Sequence, residues 1–230
     1  MTITENIEHI NRLIHQTELA CHRPPNAVQL LAVSKHQTAA KIKEAFTAGL
    51  RDFGESYLQE AEVKILQLAS LPLCWHFIGP IQSNKTTGIA AHFSWVHSLS
   101  RQKIAKQLND QRPFSLPPLN VCLQINLDQE SSKSGVSSDE AAELASFVLQ
   151  LPRLQLRGLM LIPKPEVDEQ CQYESFLRLT QLMQRLNQQL NINMDTLSMG
   201  MSHDMQAAIR AGSTMVRIGT AIFGVRGSSV

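Results

Sequence analysis

Val28-Gln-Leu-Leu-Ala-Val-Ser-Lys35 reads as a short buried strand that ends on a lysine, and Ala39 to Ala48 follows it with helical spacing. Outward from this unit the alternation repeats. Strand candidates stand at Asp52-Phe53, Cys74 to Ile78, Trp95 to Leu99, Asn120 to Leu127, Gln155 to Leu161, Thr196 to Met199 and Met215 to Ile218. Between them lie helical patterns at Glu55 to Ala69, Asn84 to Ala91, Arg101 to Gln111, Ser138 to Leu151, Glu169 to Leu190 and His203 to Ala211. Strands separated by helices call for parallel pairing with right-handed crossovers, and eight such units in about 200 residues suit a closed barrel better than an open sheet. The expectation is an α/β chain, a (β/α)8 TIM barrel in one domain over residues 1–230. An extra N-terminal helix precedes it: Ile3, Ile7, Ile10, Leu13 and Ile14 recur at helical spacing, with Thr2 as N-cap and Glu5 as its capping-box partner.

Bulk composition narrows the class. Hydrophobic residues make up 43% and charged residues 18%, ordinary for a packed domain and unlike a disordered chain. Lys plus Arg number 21 against 20 for Asp plus Glu, so no overall field points to nucleic acid or to an anionic membrane. Cys21, Cys74, Cys122 and Cys171 form no C-x-x-C pair, which argues against a zinc ribbon or redox motif and for a reducing compartment. No basic leader and no apolar run of about 20 residues is present. Cytoplasmic placement is expected.

In such a barrel the chemistry sits at the C-terminal ends of the strands. Lys35 stands there; partial burial would lower its pKa and make it a nucleophilic amine, although a solvated lysine capping a strand has the same sequence. Arg217-Ile-Gly-Thr220 offers backbone N–H groups at Gly219 and Thr220, and Ser198-Met-Gly-Met-Ser202 follows the seventh strand with small residues that allow close approach to an anion. Two such turns side by side would make a phosphate cup; either alone is also an ordinary strand-to-helix turn with Ser202 as N-cap. Arg217 is a buried ion-pair residue or a donor to a heterocyclic nitrogen. A lysine for a Schiff base, a partner for a ring nitrogen and a phosphate cradle are together what pyridoxal phosphate asks of a protein. His76 is a core histidine or a cofactor contact. His92 and His97 have no metal-ligand spacing, and neither a Gly-x-Ser-x-Gly elbow nor a Gly-x-Gly-x-x-Gly fingerprint occurs.

Six motifs, Val33-Ser-Lys35, Phe53-Gly-Glu-Ser-Tyr57 with Gln59-Glu60, Trp75-His-Phe-Ile-Gly79 with Gln82-Ser-Asn-Lys85, Gly158-Leu-Met160, Leu197 to Ser202 and Val216 to Gly224, closely resemble the pyridoxal phosphate homeostasis proteins, the YggS/PROSC family. The resemblance runs from about residue 28 to 224. It implies a fold type III barrel like the N-terminal domain of alanine racemase, with pyridoxal 5′-phosphate as cofactor and Lys35 forming the internal aldimine. It further implies Arg217 at the pyridine nitrogen and Ser198, Ser202, Gly219 and Thr220 around the phosphate, with Ser56, His76 and Met160 in the contact set. Where the family usually has Asn this chain has Ser56, so a contact from that position is shorter or lost.

The function implied is a carrier or buffer of pyridoxal phosphate in vitamin B6 and amino-acid balance, without turnover, whose partners are the cofactor and apo-enzymes that receive it. The alternative is a pyridoxal phosphate-dependent amino-acid racemase. Racemisation needs a second base opposite Lys35, and the chain, ending at Val230 with only Tyr57 and Tyr173 as tyrosines, is expected to lack it and to be a monomer. The polar loop Asp128-Gln-Glu-Ser-Ser-Lys-Ser-Gly135 is expected to gate the site, with Lys133 as a transient contact or a solvated lysine.

Overall fold

A computed structural model describes residues 1–128 and 134–224, so the expectation for Lys133 lies outside the described residues. Helix α1, Ile3–Ala20, precedes eight strand and helix units: β1 Gln29–Val33, α2 Ala39–Thr47, β2 Asp52–Glu55, α3 Leu58–Gln67, β3 Cys74–Phe77, α4 Thr86–His92, β4 Trp95–Leu99 and α5 Gln102–Gln111. The second half continues with β5 Leu119–Ile125, α6 Ala141–Leu149, β6 Leu154–Leu161, α7 Glu169–Leu190, β7 Thr196–Ser198, α8 Met205–Arg210, β8 Met215–Ile218 and α9 Thr220–Phe223. The strands form a closed barrel in sequence order, every ladder parallel. Closure is made by β1 and β8, with Gln29 opposite Met215, Leu31 opposite Arg217 and Ala32 opposite Ile218.

The expected TIM barrel with its extra helix is thus the fold, and Asp52-Phe53 is indeed a strand. Several helices start later than their apolar spacing predicts. Glu55 belongs to β2 and α3 begins at Leu58, because the Glu55 side chain turns inward to Ser34 and Lys64 instead of opening a helix. Helix α8 begins at Met205, not His203, since a turn closes first: Met201 N–H donates to Asp204 Oδ1 and Asp204 N–H to the Met201 carbonyl. Ser202 is therefore not the N-cap, which is Asp204.

Helix α1 carries the capping box that Thr2 and Glu5 announce. Its buried Ile3, Ile7, Ile10 and Ile14 pack toward α2, α8 and α9, covering the seam where the barrel closes. Burying such a side chain stabilises by roughly 1.5–3 kcal/mol. Glu18, also buried, accepts the backbone N–H of Val28 at 2.9 Å and of Asn26 at 3.2 Å, so the helix sets where β1 begins. Arg23 ties the same corner to α8 through the carbonyls of Ile209 and Ser213.

Strands β6 and β7 approach closely at Gly158, where a Cβ would fall 1.7 Å from the Thr196 carbonyl oxygen. Gly158→Ala must push the two strands apart, and overpacking of this kind costs roughly 1–3 kcal/mol or more. A urea melt of the variant should show a lower midpoint at unchanged slope; an unaltered midpoint would mean that the ladder gives way freely.

Candidate cofactor site

Side chains alternate between the barrel lumen and the helix-facing surface along each strand. Val216 and Ile218 join the apolar cluster between sheet and helices, which points Arg217 into the lumen. Likewise Trp75 and Phe77 face the helices and His76 faces in. The lumen is crossed by a continuous polar chain. Arg217 Nη1 lies 2.9 Å from Ser198 Oγ, Ser198 Oγ 2.7 Å from His97 Nδ1, His97 Nε2 3.0 Å from His76 Nδ1, and His76 Nε2 3.0 Å from Asp52 Oδ1. The bond between His97 on β4 and Ser198 on β7 joins strands that are not neighbours, so it spans the interior.

Arg217 is the cationic end of this polar chain, and it is 5% exposed. Among the described residues no carboxylate lies within ion-pair distance of it, so the buried ion pair open to the sequence is not what holds it. Its partners are neutral oxygens. Nη1 donates to the Ser198 carbonyl at 2.6 Å and to Ser198 Oγ, and Nη2 donates to the Leu161 carbonyl at 3.0 Å. The second Nη2 proton and the Nε proton make no hydrogen bond to the described residues. Burial pulls its pKa down to about 10, against a raising influence from Asp204 and Cys122, so the guanidinium stays charged at neutral pH. A buried cation with donors to offer fits the unprotonated ring nitrogen or phosphate of a bound anion.

Lys35 follows β1 by two residues and is half-buried. The residues on either side of it are anchored from below by Lys64 of α3. All three protons of the Lys64 ammonium are engaged, by the Ser34 carbonyl at 2.8 Å, Glu55 Oε1 at 2.8 Å and Glu60 Oε1 at 2.5 Å. Ser34 Oγ donates to Glu55 Oε1 at 2.6 Å, and the His36 N–H donates to Glu60 Oε1 at 2.5 Å. Burial pushes the Glu55 carboxyl above its ordinary range, while Lys64 and Ser34 pull it back. His36 adopts φ of 62°, a left-handed conformation that this set of bonds holds in place. The backbone on both sides of Lys35 is thereby fixed just past the end of β1.

Register brings the other candidates to that rim. Because Ala32 faces Ile218, Gly219 lies against Val33, and Gly219 and Thr220 come beside Ser34 and Lys35. Met160 faces Ser198 across the β6–β7 ladder and is buried. Gly200 has φ of 98° and packs where a Cβ would be 2.6 Å from the Ala208 methyl, so the β7 loop folds over α8 only with glycine there. Ser202 and Thr220 are exposed at the rim, and Ser56 is buried just past β2. His76 matches the core-histidine reading: it is 0% exposed, Nδ1 meets His97, and Nε2 meets Asp52 at 3.0 Å and Cys74 Sγ at 3.4 Å. Asp52, Cys74 and His76 bring ligand-type atoms within 4.8 Å of one another, the only such group among the described residues. A cleft of about 270 Å³ opens between the ends of β3, β5 and β6, lined by Ile78, Gln124, Leu161 and Ile162 among others, beside the Leu161 carbonyl that holds Arg217.

His97, Lys64, Glu55 and Asp52 were not singled out by motif. His97 carried one legible signal, its place two residues after Trp95 on an alternating strand; Lys64 carried none.

Against known proteins, residues 3–227 match the family model described as "Alanine racemase, N-terminal domain". The alanine racemase of Corynebacterium glutamicum shares the fold at a TM-score of 0.66 and 18% identity, with 98% of this chain aligned to 63% of that one. Barrel and family model together define the class, the fold of the alanine racemase N-terminal domain. A "Pyridoxal phosphate homeostasis protein" of Pseudomonas aeruginosa is 56% identical over 225 residues, 98% of this chain and 96% of its own. PipY of Synechococcus elongatus, solved with PLP bound, superposes at a TM-score of 0.84 with 34% identity over 97% of this chain and 100% of its own. This chain belongs to the pyridoxal phosphate homeostasis protein family.

Lys64→Met leaves Glu55 buried without its counter-charge, and breaking a buried pair from one side costs roughly 3–5 kcal/mol. Urea denaturation should show that loss, and the double variant Lys64→Met/Glu55→Leu should recover more than half of it; no recovery would deny the pair its role.

His76 and His97 supply a pH test. Burial drives both below the ordinary 6.5, His97 well below with His76 and Arg217 adding to the effect, whereas Asp52 partly restores His76. The unfolded chain then binds protons below pH 6.5 that the folded chain refuses, so stability is full above 6.5 and falls as pH drops, by up to about 1.4 kcal/mol per pH unit for each histidine. Melting midpoints measured from pH 7.5 down to 5 should decline, and His97→Gln should flatten the decline.

Proposed function

We propose that this chain binds pyridoxal 5′-phosphate at the C-terminal rim of the barrel and carries or buffers it for vitamin B6 and amino-acid homeostasis, without catalytic turnover. The observation that carries the reading is Arg217, a buried cation whose remaining N–H donors have no protein acceptor among the described residues. When bound, the cofactor supplies an aldehyde for an amine, a ring nitrogen and a phosphate dianion. Lys35 on its anchored turn offers the amine. Arg217 donates to the ring nitrogen, and a guanidinium does not readily give up its proton, so the nitrogen stays unprotonated and a weak electron sink. Such a site suits holding more than carbanion chemistry. Ser202, Gly219 and Thr220 would surround the phosphate, Ser198, whose hydroxyl is spent on His97 and Arg217, would serve the site by aiming Arg217, and Ser56 and Met160 would line the ring's approach. The family name and the PLP bound to PipY support this assignment.

One observation favours the racemase alternative. Tyr57 stands just past β2 with its ring 5.2 Å from that of His36, the residue after Lys35, so a phenol is available near the rim. Tyr173, by contrast, lies on α7 under the Arg210 guanidinium. Exchange of an amino acid's α-proton in deuterated water, catalysed by the loaded protein, would favour turnover. Its absence, with transfer of the cofactor to an apo-enzyme, is the outcome this reading expects. Delivery fits a monomer in the cytoplasm; among the described residues no helix is long and apolar enough to cross a membrane.

Borohydride treatment of the loaded protein should fix the cofactor on Lys35, and Lys35→Ala should abolish that adduct in a folded barrel. Peptide mapping to Lys85 or Lys133 would move the site. Arg217→Gln should weaken retention about tenfold to a hundredfold, the worth of a charge-assisted hydrogen bond of roughly 1.5–3 kcal/mol. A variant that retains the cofactor fully but melts far lower would make Arg217 a structural residue instead.

A further inference from the structure

The lumen chain has a direction that its end groups impose. Arg217 can only donate, and Asp52 as a carboxylate can only accept. Burial opposes the charge on Asp52, yet hydrogen bonds from His76, Gln29 and Cys74 and the nearness of His76 outweigh it, and the carboxyl is held below its ordinary range. Its acceptance from His76 Nε2 places the His76 proton on that nitrogen and leaves Nδ1 as an acceptor. His97 Nε2, 3.0 Å away, must then be the donor, which leaves His97 Nδ1 to accept from the Ser198 hydroxyl. Ser198 Oγ keeps its lone pairs for Arg217 Nη1. Every bond from Arg217 to Asp52 therefore donates the same way, with both histidines neutral and protonated at Nε2. His76 and His97 are each 0% exposed, so water does not offer an alternative partner for either ring.

We propose that Asp52, at the N-terminal mouth of the barrel, is a positioning residue for the cofactor site at the opposite mouth: through His76, His97 and Ser198 it fixes the proton order that meets Arg217. The chemical reason is steric as much as electrostatic. If His76 lost its acceptor and turned its proton to Nδ1, His97 would have to donate from Nδ1 to Ser198, and the Ser198 hydroxyl proton would point toward the Arg217 N–H or into the ligand space. In the first orientation Arg217 loses one of the three bonds that aim it, and in the second the ligand space gains a hydroxyl donor that the native order keeps out of it. Trp95, stacked on His76 at 5.5 Å with 8° between planes, keeps the ring from rotating out of line. The relay rests on the proposed cofactor role of Arg217 only at its last link; its proton order belongs to the protein alone.

The test separates the two. In cofactor-free protein labelled with 15N-histidine, long-range nitrogen–proton correlation should show His76 and His97 protonated at Nε2 only. In Asp52→Leu the signals of His97, which does not touch Asp52, should shift toward the other tautomer, and Asp52→Glu should restore them. The equilibrium dissociation constant for pyridoxal phosphate, measured by absorbance titration, should rise roughly twofold to thirtyfold in Asp52→Leu, the range of a coupling carried through a packed network. His97 protonated at Nδ1 in the unmodified chain would overturn the proposal, as would a folded Asp52→Leu variant in which His76 alone responds. If neither protein bound the cofactor, the functional reading would fail while the histidine signals still decided the relay.

Discussion

A guanidinium buried without a counter-ion is the constraint to which the rest of this barrel answers. Removing such a charge from water costs several kcal/mol even after relaxation, and among the described residues no carboxylate lies within ion-pair distance, Asp204 helping only from farther off. The offset comes from neutral oxygens on neighbouring strands, the Leu161 carbonyl of β6 and the carbonyl and hydroxyl of Ser198 on β7. Arg217 on β8 therefore staples three consecutive strands. From Ser198 the polar layer continues to His97 on β4, His76 on β3 and Asp52 on β2. A polar layer in a lumen is tolerable only when its members find partners, and here each residue of the layer does.

The second charged device sits outside the lumen and works differently. Buried Glu55 and Lys64, with half-buried Glu60, form a cluster that grips the backbone of Ser34 and His36, so the main chain on both sides of Lys35 is held. One carboxylate oxygen, Glu55 Oε2, has no hydrogen-bond partner among the described residues, which marks the cluster as costly and makes Lys64 indispensable to it. Because β1 and β8 are the strands that close the barrel, this cluster and Arg217 act on adjacent strand ends. If the proposed site holds, its amine and its cation stand on rigid elements, which lowers the ordering cost of taking up a small anion.

Much of this was readable in the chain. The eight strand positions, the capping box at Thr2 and Glu5, the lysine closing the first strand and the Arg-Ile-Gly-Thr turn closing the last all rest on local spacing, and the motif resemblance agrees with the family to which the chain belongs. Helix starts were less legible at Glu55 and His203, because in both places a side chain or turn found a better hydrogen bond than the first turn of a helix offers. Ser202 as a cap is displaced by Asp204, and of the two readings of His76 the core histidine is the one its burial and hydrogen bonds match.

The sequence by itself determined the order and type of the elements, since periodicities of two and of 3.6 residues are properties of neighbouring positions. It also determined which chemical groups stand at the strand ends. Only the tertiary structure decided the register in which the first and last strands meet and that Lys64 holds the backbone next to Lys35. It alone decided, too, that a histidine and a serine 101 residues apart share a proton across the lumen. The physical reason is that these bonds form between side chains whose separation along the chain carries no signal, and they exist only once the sheet has closed and excluded the water that would otherwise satisfy each group alone.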